Sequence, residues 1–353
     1  MMIEHYILLF LSSLTLYRSR YPELKLILLL FKKIFLISAF FFISLRSFNV
    51  GNDTLNYLEL FQSVAYNTFI DYLSSTRFEV GFMFWNYFSY KYLTENFTIY
   101  LFCVNLFYFI TSIYFYNKYS KRSYWVFLWF VFGLYYAMFT TMRACLALSF
   151  IYLVIDALFE NKRLRFVLFS FLAILFHSSS ALIILILLGV NRKTYFIFKH
   201  KVFLLVVAGI SAYFLNIFVS FFSYYSHYLD TKYVGLRLAS IFNFMILLGL
   251  YVLSYSKKIN EDTFLFKINS FFYCQVLISF AAIQFNLLDR FSLFLYPFVI
   301  VYLCLIYSKL KLDKRMLIIL LISVLIVYQI FIFVYRPDWK GIYPYHFVLD
   351  SFC

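Results

Sequence analysis

Apolar residues run along this chain in blocks of about twenty, separated by short basic or polar stretches. Wound as a helix at 1.5 Å per residue, a block of that length crosses a hydrocarbon core of about 30 Å. The pattern predicts membrane helices over 3–17, 30–48, 97–116, 124–142, 144–159, 202–222, 236–255, 264–286, 291–307 and 315–335, about ten full crossings. A closed strand barrel would alternate polar and apolar positions, and these blocks do not. The predicted fold class is all-α: a polytopic helical membrane bundle forming a single transmembrane domain over 1–353.

One further apolar stretch, 166–190, is interrupted by His177-Ser178-Ser179-Ser180 and reads as one helix or two short ones. Loop charge decides between these. A single crossing would put Arg192, Lys193, Lys199, Lys201, Lys257, Lys258, Lys267, Lys309, Lys311, Lys314 and Arg315 outside. A re-entrant or paired short-helix element returns them to the cytoplasmic side, with Arg18, Lys32, Lys118, Lys162 and Arg165, as the positive-inside rule requires. Phe166 to Phe176 rises only about 16 Å, so His177 is expected at membrane depth. A break there is tolerable only where protein or a water-filled cavity surrounds it. Both termini are then expected outside, with an amphipathic outer loop at 49–96 and an outer tail at 336–353.

Composition agrees: 64% of the 353 residues are hydrophobic and 13% charged, and mean hydropathy is +0.84. No cleavable signal pattern precedes the first apolar stretch, which reads as a retained helix with its N-terminus outside. The net charge of +15 sits in short loops between apolar runs, which argues for membrane orientation and against nucleic acid. Cys103, Cys145, Cys274, Cys304 and Cys353 are scattered without metal-ligand spacing and read as small core residues; no metal site is expected. Phosphate-cradling glycine loops, HExxH, GxSxG and DxD-type outer pairs are absent, so nucleotide-sugar chemistry is not expected.

The informative residues are polar groups on the outer side. Arg143 has no acidic residue within twelve positions, so it anchors at headgroups or must find a carboxylate, a carbonyl or an anionic ligand. Arg46, Arg77, Arg143 and Arg290 all fall near one face, and several guanidinium forks there suit a pyrophosphate. Arg290 could equally pair with Asp289 beside it. His177 is a candidate base or a satisfied structural group. Glu79 and Asp53 are the leading outer carboxylates for taking a proton from a sugar hydroxyl, although Asp53 could simply cap a helix. Trp339, Tyr343 and Tyr345 in the tail line a sugar cleft or anchor at the interface.

Taken in order, these motifs resemble the EpsG-like and Wzy-type polysaccharide polymerases. The resemblance rests on Gly51-x-Asp53 with Tyr57, Glu79-x-Gly81-Phe82, Arg143 with Ala144 and Ala147, Phe176-His177-x-Ser179 with Ala181, Arg290-Phe291, and Trp339 with Tyr343-Pro344-Tyr345. One departure is Ala144-Cys145, where the family commonly has a glutamine. The resemblance implies a glycosyltransferase at the outer face of a bacterial cytoplasmic membrane. It would move a growing glycan from undecaprenyl pyrophosphate onto a lipid-linked oligosaccharide repeat of an O-antigen or capsule, with no cofactor. Its implied partners are undecaprenyl pyrophosphate-linked oligosaccharides and membrane lipid, a chain-length regulator being a further candidate. A glycan ligase shares the same residues. A flippase of lipid-linked oligosaccharide would need charges through many helix interiors and two related halves.

Overall fold

The computed structural model describes residues 2–16, 22–75, 78–120, 122–220, 237–255, 262–285 and 288–348. Among them the regular structure is helical, with an isolated backbone bridge between Arg46 and Phe347. Six helices are long and apolar enough to cross a membrane, and four shorter apolar helices accompany them. The described residues gather into two compact units, 1–181 with 326–353, and 182–325.

The first unit opens with α1 (Ile3–Leu14) and α2 (Pro22–Ser44), which pack together. The loop after α2 is itself helical, carrying α3 (Thr54–Ser63), α4 (Phe69–Ser74) and α5 (Val80–Phe88) before the long α6 (Phe97–Ser120). The apolar block at 124–142 is not one helix. Gly133 takes a left-handed φ of 75° and divides it into α7 (Trp125–Val131) and α8 (Leu134–Thr140), a break that side chains with a Cβ disfavour. Then come α9 (Met142–Phe159) and α10 (Arg163–Phe176), packed along each other. The 166–190 stretch is divided at His177, so that residues 177–179 separate α10 from α11 (Ser180–Lys199).

Aromatic rings fill this unit's core. Trp125, Trp129, Tyr108, Tyr116, Tyr135, Tyr136 and Tyr152 are all buried. Buried hydroxyls find partners, as when Tyr108 donates to the Leu134 carbonyl at 3.1 Å. The two ends of α9 differ in charge. Its last turn brings Asp156 to Lys118 at 2.5 Å, and Glu160 just beyond holds Lys118 and Lys162, each at 2.5 Å. Arg163 and Arg165 follow at the start of α10. Arg143 occupies the opposite end, about 20 Å away at helical rise.

The tail closes back on the loop after α2. Gly51 donates its N–H to the Gly341 carbonyl at 2.6 Å, Ser47 to His346 at 2.9 Å, and Val348 to Leu45 at 2.8 Å. Two glycines permit this approach. Gly51 has φ 94°, and a Cβ on it would strike the Phe139 carbonyl; Gly341 has φ 59°, and a Cβ there would strike Asn52.

The second unit holds α11 from Leu182 on, together with α12 (Lys201–Ser220), α13 (Leu238–Ser254), α14 (Thr263–Ala281) and α15 (Asp289–Ile306), with α14 packed against α12, α13 and α15. The helix α16 (Leu312–Tyr335) runs across the division between the units. Phe271 stacks on Phe298 with centroids 4.3 Å apart. Polar side chains tie α13 to α15: Ser240 donates to Asp289 at 3.1 Å, and the Tyr296 hydroxyl to Asn243 at 3.1 Å.

Candidate active site

Glu79 stands at the entry to α5 in extended backbone, and its carboxylate is where three distant segments meet. Arg143, in the first turn of α9, places Nη1 2.5 Å from Glu79 Oε2. His177, the residue ending α10, places Nδ1 3.0 Å from Oε1. The next residue, Ser178, donates to the same oxygen through its backbone N–H at 3.1 Å and its hydroxyl at 3.2 Å. The acidic partner that Arg143 lacks in its own neighbourhood is thus supplied from 64 residues away.

Local sequence explains why these groups arrive together. The polar run at 177–180 ends α10 and releases backbone N–H groups at a helix start, where a carboxylate is the natural acceptor. Gly81 lets α5 abut the end of α10, since a Cβ there would lie 2.7 Å from the Leu175 carbonyl oxygen. Phe82 anchors the turn from a fully buried position. Arg143 is clamped from a second side, its guanidinium 4.1 Å from the centroid of the Phe78 ring and in contact with the Tyr57 hydroxyl.

The electrostatics follow from this geometry. Burial alone would raise the Glu79 carboxyl. The hydrogen bond from His177, the charge of Arg143 and the Ser178 N–H outweigh burial and hold it at about 2. Glu79 is therefore an anion committed to its neighbours. Tyr57, buried beside it in the loop, is pushed up by desolvation and stays a neutral phenol.

The other sequence candidates fall in different places. Asp53 sits one turn before Tyr57 and acts on it electrostatically, at the edge of the cluster. It holds the N-cap position of α3 without a side-chain capping bond. Arg46 is 1% exposed and donates to the carbonyls of Ile43 and Met138, at 2.9 and 3.2 Å. Tyr343 packs on Phe333 at 5.1 Å, and Tyr345 donates its hydroxyl to the Phe42 carbonyl; both brace the tail. Arg290 is exposed in the first turn of α15, in the second unit. Arg77 and the side chain of Trp339 lie outside the described residues. Sequence reasoning assigned no role to Ser178, Tyr57 or Phe78. The signals were present: Ser178 follows a helix-breaking histidine, and Phe78 directly precedes Glu79.

Several helices of this length and apolarity define a multi-pass membrane protein. The EpsG family profile matches residues 28–347, nearly the whole chain, so the chain belongs to the EpsG family. Membership indicates a membrane protein of the polysaccharide-polymerase type. No curated protein and no solved structure matches it.

Proposed function

We propose that this protein polymerises lipid-linked oligosaccharide repeats at the outer face of a bacterial cytoplasmic membrane. The acceptor sugar's hydroxyl oxygen attacks the anomeric carbon of the growing glycan, the bond from that carbon to the polyprenyl pyrophosphate oxygen breaks, and the hydroxyl proton passes to the enzyme. The pyrophosphate leaves as a stable anion, so positioning and charge do most of the catalytic work.

One observation carries this reading: the convergence of Arg143, His177 and Ser178 on Glu79 at the end of α9 opposite the basic residues. A cytoplasmic location for Lys118, Lys162, Arg163 and Arg165 supports an outer position for the cluster. Glu79 would serve as the positioning anion rather than the base, because its carboxylate is stabilised in the charged form. Its acceptance of a hydrogen bond from Nδ1 would fix the His177 ring so that Nε2 takes the acceptor proton. Arg143 would offset negative charge on the departing pyrophosphate.

Surface-glycan ladders from a deletion strain test the reading. Deletion is expected to leave a single repeat on its acceptor, wild type to restore the ladder, and Arg143→Ala and His177→Ala to fail. Loss of even the single repeat on deletion would assign the protein to ligation or transport.

A further inference from the structure

In the cluster around Glu79 the Arg143 charge is already met by a carboxylate. Arg46 is different. Its side chain is 1% exposed, and its acceptors are the Ile43 and Met138 carbonyls and, at 3.4 Å, the Thr54 hydroxyl. Its guanidinium lies 5.0 Å from the centroid of the Phe139 ring. All of these are neutral. Its Nε is buried with no hydrogen-bond partner, and among the described residues no carboxylate pairs with it. A buried cation surrounded by dipoles alone has lost its hydration without gaining a counter-charge. Desolvation accordingly pulls its pKa down to about 10.

Beside Arg46 lies a cavity of about 220 Å³. Asn96 and Thr98, at the start of the 24-residue α6, form one wall, and Phe48, Leu58 and Leu101 form an apolar one. The Asn96 side chain caps α6, accepting from the Thr98 and Ile99 N–H groups at 2.8 and 3.3 Å, which holds this wall of the cavity in place. A buried guanidinium whose Nε has no acceptor and which no described carboxylate meets, beside a cavity with an apolar wall, suits an anion attached to hydrocarbon.

We propose that this cavity binds the phosphate of a lipid-borne group, with Arg46 as its counter-charge and Phe48, Leu58 and Leu101 against the adjoining hydrocarbon. The inference rests on the reading of the substrates as lipid-linked only for the identity of the lipid. A reaction between two lipid-linked substrates needs two phosphate sites, and this cavity supplies one besides Arg143. Phosphate on hydrocarbon could come from a prenyl pyrophosphate or from a membrane phospholipid, and binding tells them apart without any polymerase assay.

The test uses the full chain purified in detergent, with native mass spectrometry reading retention of geranylgeranyl pyrophosphate, phosphatidylglycerol or inorganic pyrophosphate. Wild type is expected to retain a phosphate-bearing lipid in preference to inorganic pyrophosphate. Arg46→Gln is expected to weaken retention about tenfold or more and Arg46→Lys less. Because Arg46 also staples backbone, Thr98→Trp provides a second variant that fills the cavity and leaves the Arg46 contacts in place. It should weaken retention equally without lowering the melting temperature. Preference for geranylgeranyl pyrophosphate identifies a substrate site, and equal retention of phosphatidylglycerol a headgroup site; either supports the phosphate cavity. Undiminished retention in Thr98→Trp or Arg46→Gln, each combined with Arg143→Ala to remove the other phosphate site, overturns it.

Discussion

Glu79 holds the candidate site together, and its dependence on pH follows from its neighbours. Its carboxyl titrates at about 2 in the folded protein, below the ordinary carboxylate value of 4.5. A depressed value means the stabilisation is fully present above about 4.5 and is lost as pH falls towards 2. It amounts to a few kcal/mol at most, on the order of 1.4 kcal/mol per unit. Melting curves in detergent are expected to show this loss in wild type and to lack it in Glu79→Gln. That variant also leaves Arg143 without its anion and His177 without its orienting acceptor. Ladder synthesis is expected to fall by about a hundredfold, in the range seen when a group that orients a catalytic residue is removed. Glu79→Asp tests reach: a carboxylate one methylene shorter should not hold Arg143 and His177 together, and should fail like the amide.

At the scale of elements, the helix breaks are the informative features. The break at His177 was legible in sequence because four polar residues interrupt an apolar run. The break at Gly133 was not, because a lone glycine in an apolar block says little until its φ of 75° is known. Nothing crowds Gly133, since a methyl placed on its Cα would find its nearest heavy atoms 3.9 Å away. Gly133→Ala should therefore cost only the left-handed strain, about 1–2 kcal/mol, and lower the melting temperature while sparing activity. Gly81→Ala should do the opposite. Its methyl would press on the Leu175 carbonyl and part α5 from α10, so activity should fall more than stability. The residues of the site were visible individually, but their convergence was not. Glu79 lies 64 residues from Arg143 and 98 from His177, and no periodicity encodes a contact at that range.

For the molecule as a whole, the apolar blocks revealed an all-helical membrane chain, since length and apolarity are local properties of a segment. The gathering of described residues into two units was not legible, because it depends on which helices pack on which. Within the first unit, the cluster at Glu79 and the basic residues at 162–165 lie at opposite ends of α9 and α10. In a cysteine-free background, a membrane-impermeant maleimide is expected to label Ser178→Cys in intact cells and Asn161→Cys only after lysis. The reverse pattern would turn the protein over and remove the outer-face reading.

The clasp of the tail on the loop after α2 has a consequence for biosynthesis. Tyr345 and its partner Phe42 are 303 residues apart. At roughly 5–20 residues per second, the loop that carries Glu79 emerges from the ribosome about fifteen to sixty seconds before the segment that fastens it. Every helix between them is made first, so the bundle is inserted before the tail that braces it exists. A nascent chain halted short of Gly341 would carry Glu79, Arg143 and His177 and none of the clasp's tail contacts.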